Sequence, residues 1–543
     1  MQRFSELLDR LSYEPRRNAK LALLTQYFGT TPDPERGLAL AALTDGLDFR
    51  HAKPAMLRGL IAERTDPELF ALSYDFVGDL SETIALMWPA NRGVNAPPPL
   101  LSDVVVGLRS AGKSEVPGLI AGWLDTLDET GRWALLKLVT GGMRVGVSAR
   151  LAKTAVAGLG PLDTDRIEEA WHGLDPPYEA LFAWAEGRAP APLSSDPAPF
   201  RPPMLARPIE PETFAELDPA HFAAEWKWDG IRVQAVAGRD ESGTFRRRLF
   251  SRSGEDISEA FPDLVEQIDF EGSIDGELLV VRAGRVQSFN ELQQRLNRKS
   301  VTKALLKSHP VAIRAYDLLS SDGRDLRELA FEARRGELES FVERLSLPAI
   351  GLSPLIGFRD WDELAAARAN PAGHIEAGDA EAVEGVMVKR RDAPYVPGRP
   401  KGLWFKWKRD PYLVDAVLLY AQRGHGKRSS FYSDYTFGVW RDEELVPVGK
   451  AYFGFTDEEL FEIDRFVRNN TTNRFGPVRE VAHTKVTGLV LEVAFEGIAR
   501  STRHKSGLAM RFPRVHRLRW DKKPEDADRI ELLEALVPGN VKA

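Results

Sequence analysis

Residues 188–203 carry Pro190, Pro192, Pro197, Pro199, Pro202 and Pro203 together with Ser194 and Ser195, and the hydrophobic pattern differs on the two sides of this stretch. Proline fixes one backbone torsion and has no amide hydrogen to donate, so such a segment cannot run through a helix or an inner strand. It reads as a semi-extended linker. On its amino-terminal side apolar residues recur at helical spacing, as in 117–124 and 133–138, with almost no alternation of the strand kind. The first residues place Phe4, Leu7, Leu8 and Leu11 on one helical face, a pattern unlike a signal peptide. On the other side strand-like runs (231–236, 277–281) mix with helical ones (289–296, 331–345), and after Asp410-Pro411 the short runs 414–420, 435–440 and 487–495 suggest a small β-barrel. A multi-domain chain is expected: an all-α domain over 1–187, a linker over 188–203, an α+β domain over 204–410 and a β-barrel over 411–543.

A chain of 543 residues can bury a core in each of these segments. It has no cysteine, which excludes disulfides, thiolate zinc sites and cysteine nucleophiles and fits a reducing compartment. No apolar run reaches the roughly 18 to 20 residues of a membrane span. The net charge of −7 argues against a nucleic-acid partner, but the distribution argues for one. Over 389–409, Lys389, Arg390, Arg391, Arg399, Lys401, Lys406, Lys408 and Arg409 stand against Asp392 alone, interleaved with Tyr395, Trp404, Phe405 and Trp407. Over 500–523, Arg500, Arg503, Lys505, Arg511, Arg514, Arg517, Arg519, Lys522 and Lys523 stand against Asp521 alone. One such run is readily a solvated face; two call for a phosphate-rich partner.

The string Glu225-Trp226-Lys227-Trp228-Asp229-Gly230-Ile231-Arg232 sets Lys227 where a strand-like run should reverse sharply. A lysine amine becomes a nucleophile when a metal ion, other cations and partial burial depress its pKa. The plain alternative is a β-hairpin with a solvated lysine. Downstream, Ser251-Arg252-Ser253-Gly254 offers a guanidinium to a ribose or phosphate oxygen, and Asp275-Gly276-Glu277 puts two carboxylates around a turn-capable glycine. Tyr316-Asp317 supplies a ring for stacking on a base, and Glu384-Gly385 leads into a strand ending at Lys389. Lys406 and Lys408 share one face of a strand by its period of two.

In this order the motifs resemble the covalent nucleotidyltransferase superfamily and, within it, the ATP-dependent DNA ligases. Arg511-Phe512-Pro513-Arg514, followed by Arg517, Arg519, Asp521 and Lys522, resembles the DNA-ligase form of the last motif; 77–83 and 141–148 resemble a ligase DNA-binding domain. The resemblance spans nearly the whole chain. It implies an all-α DNA-binding domain, an α+β nucleotidyltransferase (adenylation) domain and an OB-fold barrel. It implies an enzyme that seals nicks in duplex DNA through a lysyl-AMP and an adenylylated 5′-phosphate.

Carried over by position, the resemblance makes Lys227 the nucleophile and gives Glu225 the adenine amino group, Tyr316 the base face, and Arg252 and Glu277 the ribose. Lys406 and Lys408 would grip the α-phosphate, Arg232 would touch the nucleotide or the nick, and Arg511 and Arg514 would face the β- and γ-phosphates. Asp275, Glu277 and Glu384 are the expected ligands of Mg2+, with Mn2+ as an alternative, and ATP is the substrate. The expected partner is nicked duplex DNA, with no membrane, surrounded by a monomer in the cytoplasm at the nucleoid; replication, repair and recombination are not distinguished. Two departures stand out: Trp226 and Trp228 flank Lys227 on both sides, and Trp407 stands between Lys406 and Lys408 where the family more often has a smaller apolar residue. Among alternatives, an NAD-dependent ligase would bring a four-cysteine zinc site, and an RNA ligase or capping enzyme would lack this helical domain. A non-catalytic DNA-end scaffold would have lost Lys227 or a carboxylate.

Overall fold

The computed structural model describes residues 1–89, 96–192, 196–296, 301–375, 379–423, 431–476, 478–502 and 504–537, without the side chains of 75, 76 and 211. Ser194 and Ser195 of the linker and Arg503 of the second basic run lie outside the described residues. The described chain gathers into two compact units: 1–225, 229–355 and 387–405 in one, and 226–228, 356–386 and 406 onward in the other. The chain crosses between them inside the strands Phe222–Trp228, Val383–Arg390 and Trp404–Lys408, and the expected boundary after 410 falls within the second unit.

Up to Ala185 the described residues form helices and loops only. Phe4, Leu7, Leu8 and Leu11 of helix Gln2–Tyr13 are buried in one core with Leu135 and Leu136 of helix Glu129–Thr140. Asp79, Asp128, Ser148 and Asp163 each accept a backbone N–H at the start of the helix that follows. Each such cap stabilises by about 1 kcal/mol, and together they set where the helices begin.

The proline-rich stretch is not a free tether along its whole length. Asp196 pairs with Arg248, Ala198 and Phe200 are buried against Val236 and Phe250, and the backbone of Arg201 exchanges bonds of 2.7 and 3.1 Å with the Gln234 side chain. Prolines that cannot enter a sheet can lie flat upon one. The second half of the expected linker is thus part of the packing of a sheet of the α+β region.

In that sheet Ile231–Arg239 lies between Phe245–Ser251 and Gly272–Arg282, with Val311–Ser321 beyond, all antiparallel, and Ile350–Leu352 joins Val311–Ser321 in parallel. Arg232 faces Glu277 and Gln234 faces Asp275 in register. Asp275-Gly276-Glu277 therefore lies inside a strand, not at the expected turn. Glycine is needed there because a Cβ would stand 2.4 Å from Ile313 Cγ2 and 2.9 Å from the Arg314 carbonyl oxygen. A second sheet orders Arg207–Pro208, Trp404–Lys408, Val383–Arg390, Phe222–Trp228 and Leu355–Ile356. Phe222–Trp228 and Ile231–Arg239 belong to different sheets, so the reversal at Asp229-Gly230 is no hairpin; it hands the chain from one sheet to the other.

Beyond 411 a sheet is built around Tyr412–Arg423, which pairs with Tyr432–Arg441 and with Val490–Phe495; the latter pairs in turn with Arg514–Arg519. Val414, Ala416 and Leu418 on one strand and Leu491, Val493 and Phe495 on its neighbour point into one core, while Val417, Leu419 and Val490 on the alternate face are buried in a second, so both faces of this part of the sheet are covered. Among the described residues no helix is long and apolar enough to cross a membrane.

Candidate active site

Trp226 and Trp228 are buried, and strand alternation then turns Lys227 between them to the opposite, wetter face. The unusual tryptophans are core residues that aim the lysine. The Lys227 ammonium pairs with Glu384, whose other oxygen lies 3.3 Å from Lys408. Lys408 is also 3.0 Å from Glu496, and Glu496 is 3.7 Å from Arg514. Five side chains of the second unit thus form a row of alternating charge from Lys227 to the barrel. Burial by itself raises the Glu384 carboxyl, but Lys227 and Lys408 outweigh it and hold the group below the ordinary carboxylate range. Burial by itself lowers Lys408, and Glu384 and Glu496 reverse that and raise it.

The backbone permits this row. At Gly385 a Cβ would stand 2.3 Å from the Trp407 carbonyl oxygen, so the strands bearing Glu384 and Lys408 approach only because that residue is glycine. Arg368 donates to the Lys408 carbonyl at 2.5 Å and lies 4.6 Å from the Trp407 ring centroid, which gives the second departure from the family pattern a stacking partner. Lys406 shares the strand with Lys408 and is half-buried. Arg511 lies over Phe512, which is 57% exposed and held at a φ of 50°, a left-handed conformation costly for an aromatic residue.

In the first unit the expected nucleoside residues are held by buried ion pairs. Glu225 receives Arg335 at 2.9 Å and Lys389 at 2.6 Å; burial raises its pKa in spite of these cations. Asp275 holds the Arg232 guanidinium at both oxygens and accepts the Tyr395 hydroxyl at 2.7 Å. Arg232 also donates to the Met204 carbonyl at 2.6 Å and lies 5.8 Å from the Tyr316 ring centroid, and Lys389 lies 4.6 Å from the same centroid. Burial pushes the Tyr316 hydroxyl well above its usual pKa. Asp317 is fully buried against Arg334, with bonds of 2.8 and 3.0 Å, and anchors the strand at Tyr316. Exposed Arg252 stands within electrostatic reach of Arg232, Arg399, Tyr316 and Glu277; partial burial and the two arginines lower its pKa.

The expected metal role of Asp275 does not fit this geometry, because its carboxylate is buried and committed to Arg232 and Tyr395. Glu277 stands opposite Arg232 in register and within electrostatic reach of Arg252. Glu384 and Glu277 are the expected ligands that are partly exposed. Among the described residues no three His, Asp or Glu side chains converge as a ready-made metal site. The basic runs also change meaning. Tyr395, Trp404 and Phe405 are core residues, and Lys389 is buried against Glu225. In the second run Arg517 pairs with Glu492, Arg519 with Asp415 and Asp521, and Lys522 with Asp415.

Arg335, Lys389, Tyr395 and Glu496 were not singled out from the sequence as site residues. Lys389 and Tyr395 carried a signal as members of the first basic run, and Lys389 shares the strand Val383–Arg390 with Glu384.

A family model described as ATP dependent DNA ligase domain matches residues 203–408, and one described as ATP dependent DNA ligase C terminal region matches 428–522. The chain is 30% identical to a probable DNA ligase of Koribacter versatilis, over 99% of this chain and 96% of that one. It is 28% identical to DNA ligase 1 of Korarchaeum cryptofilum, over 100% and 99% of the two chains. The solved structure of Pmar-Lig_PreS3 is similar in fold, with a TM-score of 0.58 and 15% identity over 95% of this chain and 99% of that one.

Proposed function

We propose how this chain, which belongs to the family of ATP-dependent DNA ligases, seals nicks in duplex DNA. ATP is its substrate, and the reaction runs through a covalent lysyl-AMP and an adenylylated DNA 5′-phosphate. Lys227 is the nucleophile. Its nitrogen, once the ammonium has given a proton to water, forms a bond to the α-phosphorus as the bond to pyrophosphate breaks, and Glu384, the carboxylate in contact with it, orients the amine. Glu384, together with the phosphates of ATP, would hold a magnesium ion, which would supply charge neutralisation beside the phosphates, since magnesium needs only one or two carboxylates beside phosphate oxygens.

Glu225, fixed by Arg335 and Lys389, accepts from the adenine amino group, for a carboxylate can take about four hydrogen bonds. Tyr316 faces the base, Arg252 and Glu277 the ribose, and Arg232, oriented by Asp275, the nucleotide or the nick. Lys406 and Lys408 hold the α-phosphate when AMP passes to the DNA 5′-phosphate and again when the 3′-hydroxyl displaces it. Arg511 and Arg514 face the β- and γ-phosphates while ATP is cleaved.

The helical segment binds the duplex. Its segment 141–148 carries left-handed residues at Gly141, Gly142, Arg144 and Gly146 and borders a recess of about 610 Å3 lined by Arg17, Arg144 and Arg150, a shape and charge suited to a sugar-phosphate backbone. The protein acts as a monomer in the cytoplasm, at the nucleoid. The row from Lys227 to Arg514 carries this reading. Incubation with ATP labelled on its α-phosphate tests it: the wild type should take up covalent label and Lys227→Ala none, while the variant still seals part of a pre-adenylylated nick. An acid-labile, alkali-stable adduct on Lys227→Ala would show that another residue is the nucleophile.

A further inference from the structure

Glu496 lies between the strands Val490–Phe495 and Gly497–Arg500, and its N–H donates to the Arg511 carbonyl at 2.9 Å. The next residue, Gly497, pairs with Arg511 in register. The main chain of Glu496 is therefore fixed beside the Arg511 strand, while its side chain keeps 26% of its surface exposed. One carboxylate oxygen lies 3.0 Å from the Lys408 ammonium and the other 3.7 Å from the Arg514 guanidinium. Two oxygens of one anion span two cations, as oxygens of neighbouring phosphates would.

Lys408 needs no second carboxylate to be held, since Glu384 already lies 3.3 Å away. Partly exposed ion pairs of this kind are weak and exchange readily. A polyphosphate carries more charge than a carboxylate and can displace it, but only by breaking both contacts.

Resting on the assignment of Lys408 and Arg514 to phosphate, we propose that Glu496 is a built-in competitor of the triphosphate. It occupies the two cations that the phosphates of ATP require and so sets how tightly ATP is held and how readily pyrophosphate leaves. It touches no reacting atom; it acts through Lys408 and Arg514.

The full-length chain with Glu496→Gln keeps the shape and removes the charge. At fixed ionic strength its rate of self-adenylylation should reach half-maximum at a several-fold lower ATP concentration, and pyrophosphate should inhibit at a several-fold lower concentration. Glu496→Asp, which keeps the charge on a shorter stem, should fall between Glu496→Gln and the wild type. An unchanged or higher KM for ATP in Glu496→Gln overturns the proposal, and with a depressed kcat it makes Glu496 a residue that orients Arg514. If Lys408→Ala and Arg514→Ala both keep the wild-type dependence on ATP, it is the assignment of these two residues to phosphate that fails.

Discussion

In the first unit Glu225, Asp275 and Asp317 have side chains no more than 2% exposed, and each is committed to an arginine. In the second unit Glu384 and Glu496 are 23% and 26% exposed, and each is shared between two cations. The chemistry assigned to the two regions explains the contrast. The base and ribose keep one set of contacts while AMP is held, and buried pairs provide an unchanging frame. Phosphates arrive, break and leave, and cations in contact with water and with two acids can change partners without a large penalty. Truncating a buried pair leaves an uncompensated charge, whereas truncating an exposed one does not.

Stability measurements should separate the regions most widely. Arg335→Leu leaves Glu225 buried with one cation instead of two and should cost about 3–5 kcal/mol in urea denaturation. Lys408→Ala should cost less than about 1 kcal/mol. Equal losses would erase the distinction.

The next contrast is between steps of the reaction. Arg514→Ala should slow lysyl-AMP formation by on the order of 10², since pyrophosphate is present only then. The same variant should seal a pre-adenylylated nick at close to the wild-type rate. A matching loss in both assays would assign Arg514 to folding or DNA binding throughout the cycle.

The smallest expected effect concerns pH. Burial disfavours the charged form of Glu384, yet Lys227 and Lys408 prevail and depress its pKa. The folded chain then binds fewer protons at this site than the unfolded one, so the stabilisation is complete above the unfolded carboxyl pKa of about 4.3 and is lost as pH falls through the lower folded value. Glu384→Gln should flatten the acid limb of stability against pH by no more than about 1 kcal/mol. An acid limb unchanged by the substitution would show that the row does not hold Glu384 ionised.

Lys227, Glu384, Lys408 and Arg514, which the structure brings into one row, stood out in the sequence because lysine, acid and cations each sit in a short string with its own spacing. The helical region was legible for a similar reason: Phe4, Leu7, Leu8 and Leu11 repeat with the helical period, and all four are buried. Arg335 was not, since it lies in a charge-rich helix, Phe331–Leu345, 110 residues from its partner Glu225. Asp275-Gly276-Glu277 looked like a turn because glycine serves both turns and close strand contacts, and only the position of Ile313 decides between them. The linker looked free because prolines exclude a strand without saying whether the segment lies against one.

The sequence by itself determined which elements form and which side chains carry chemistry, because periodicity and functional-group identity are properties of a few neighbouring residues. Only the tertiary structure decided which charges are spent on the frame and which are left to meet phosphate. The free energy of a charge depends on its burial and on partners from distant parts of the chain: Asp275 was lost to Arg232 and Tyr395, and Glu496 was brought onto Lys408 and Arg514.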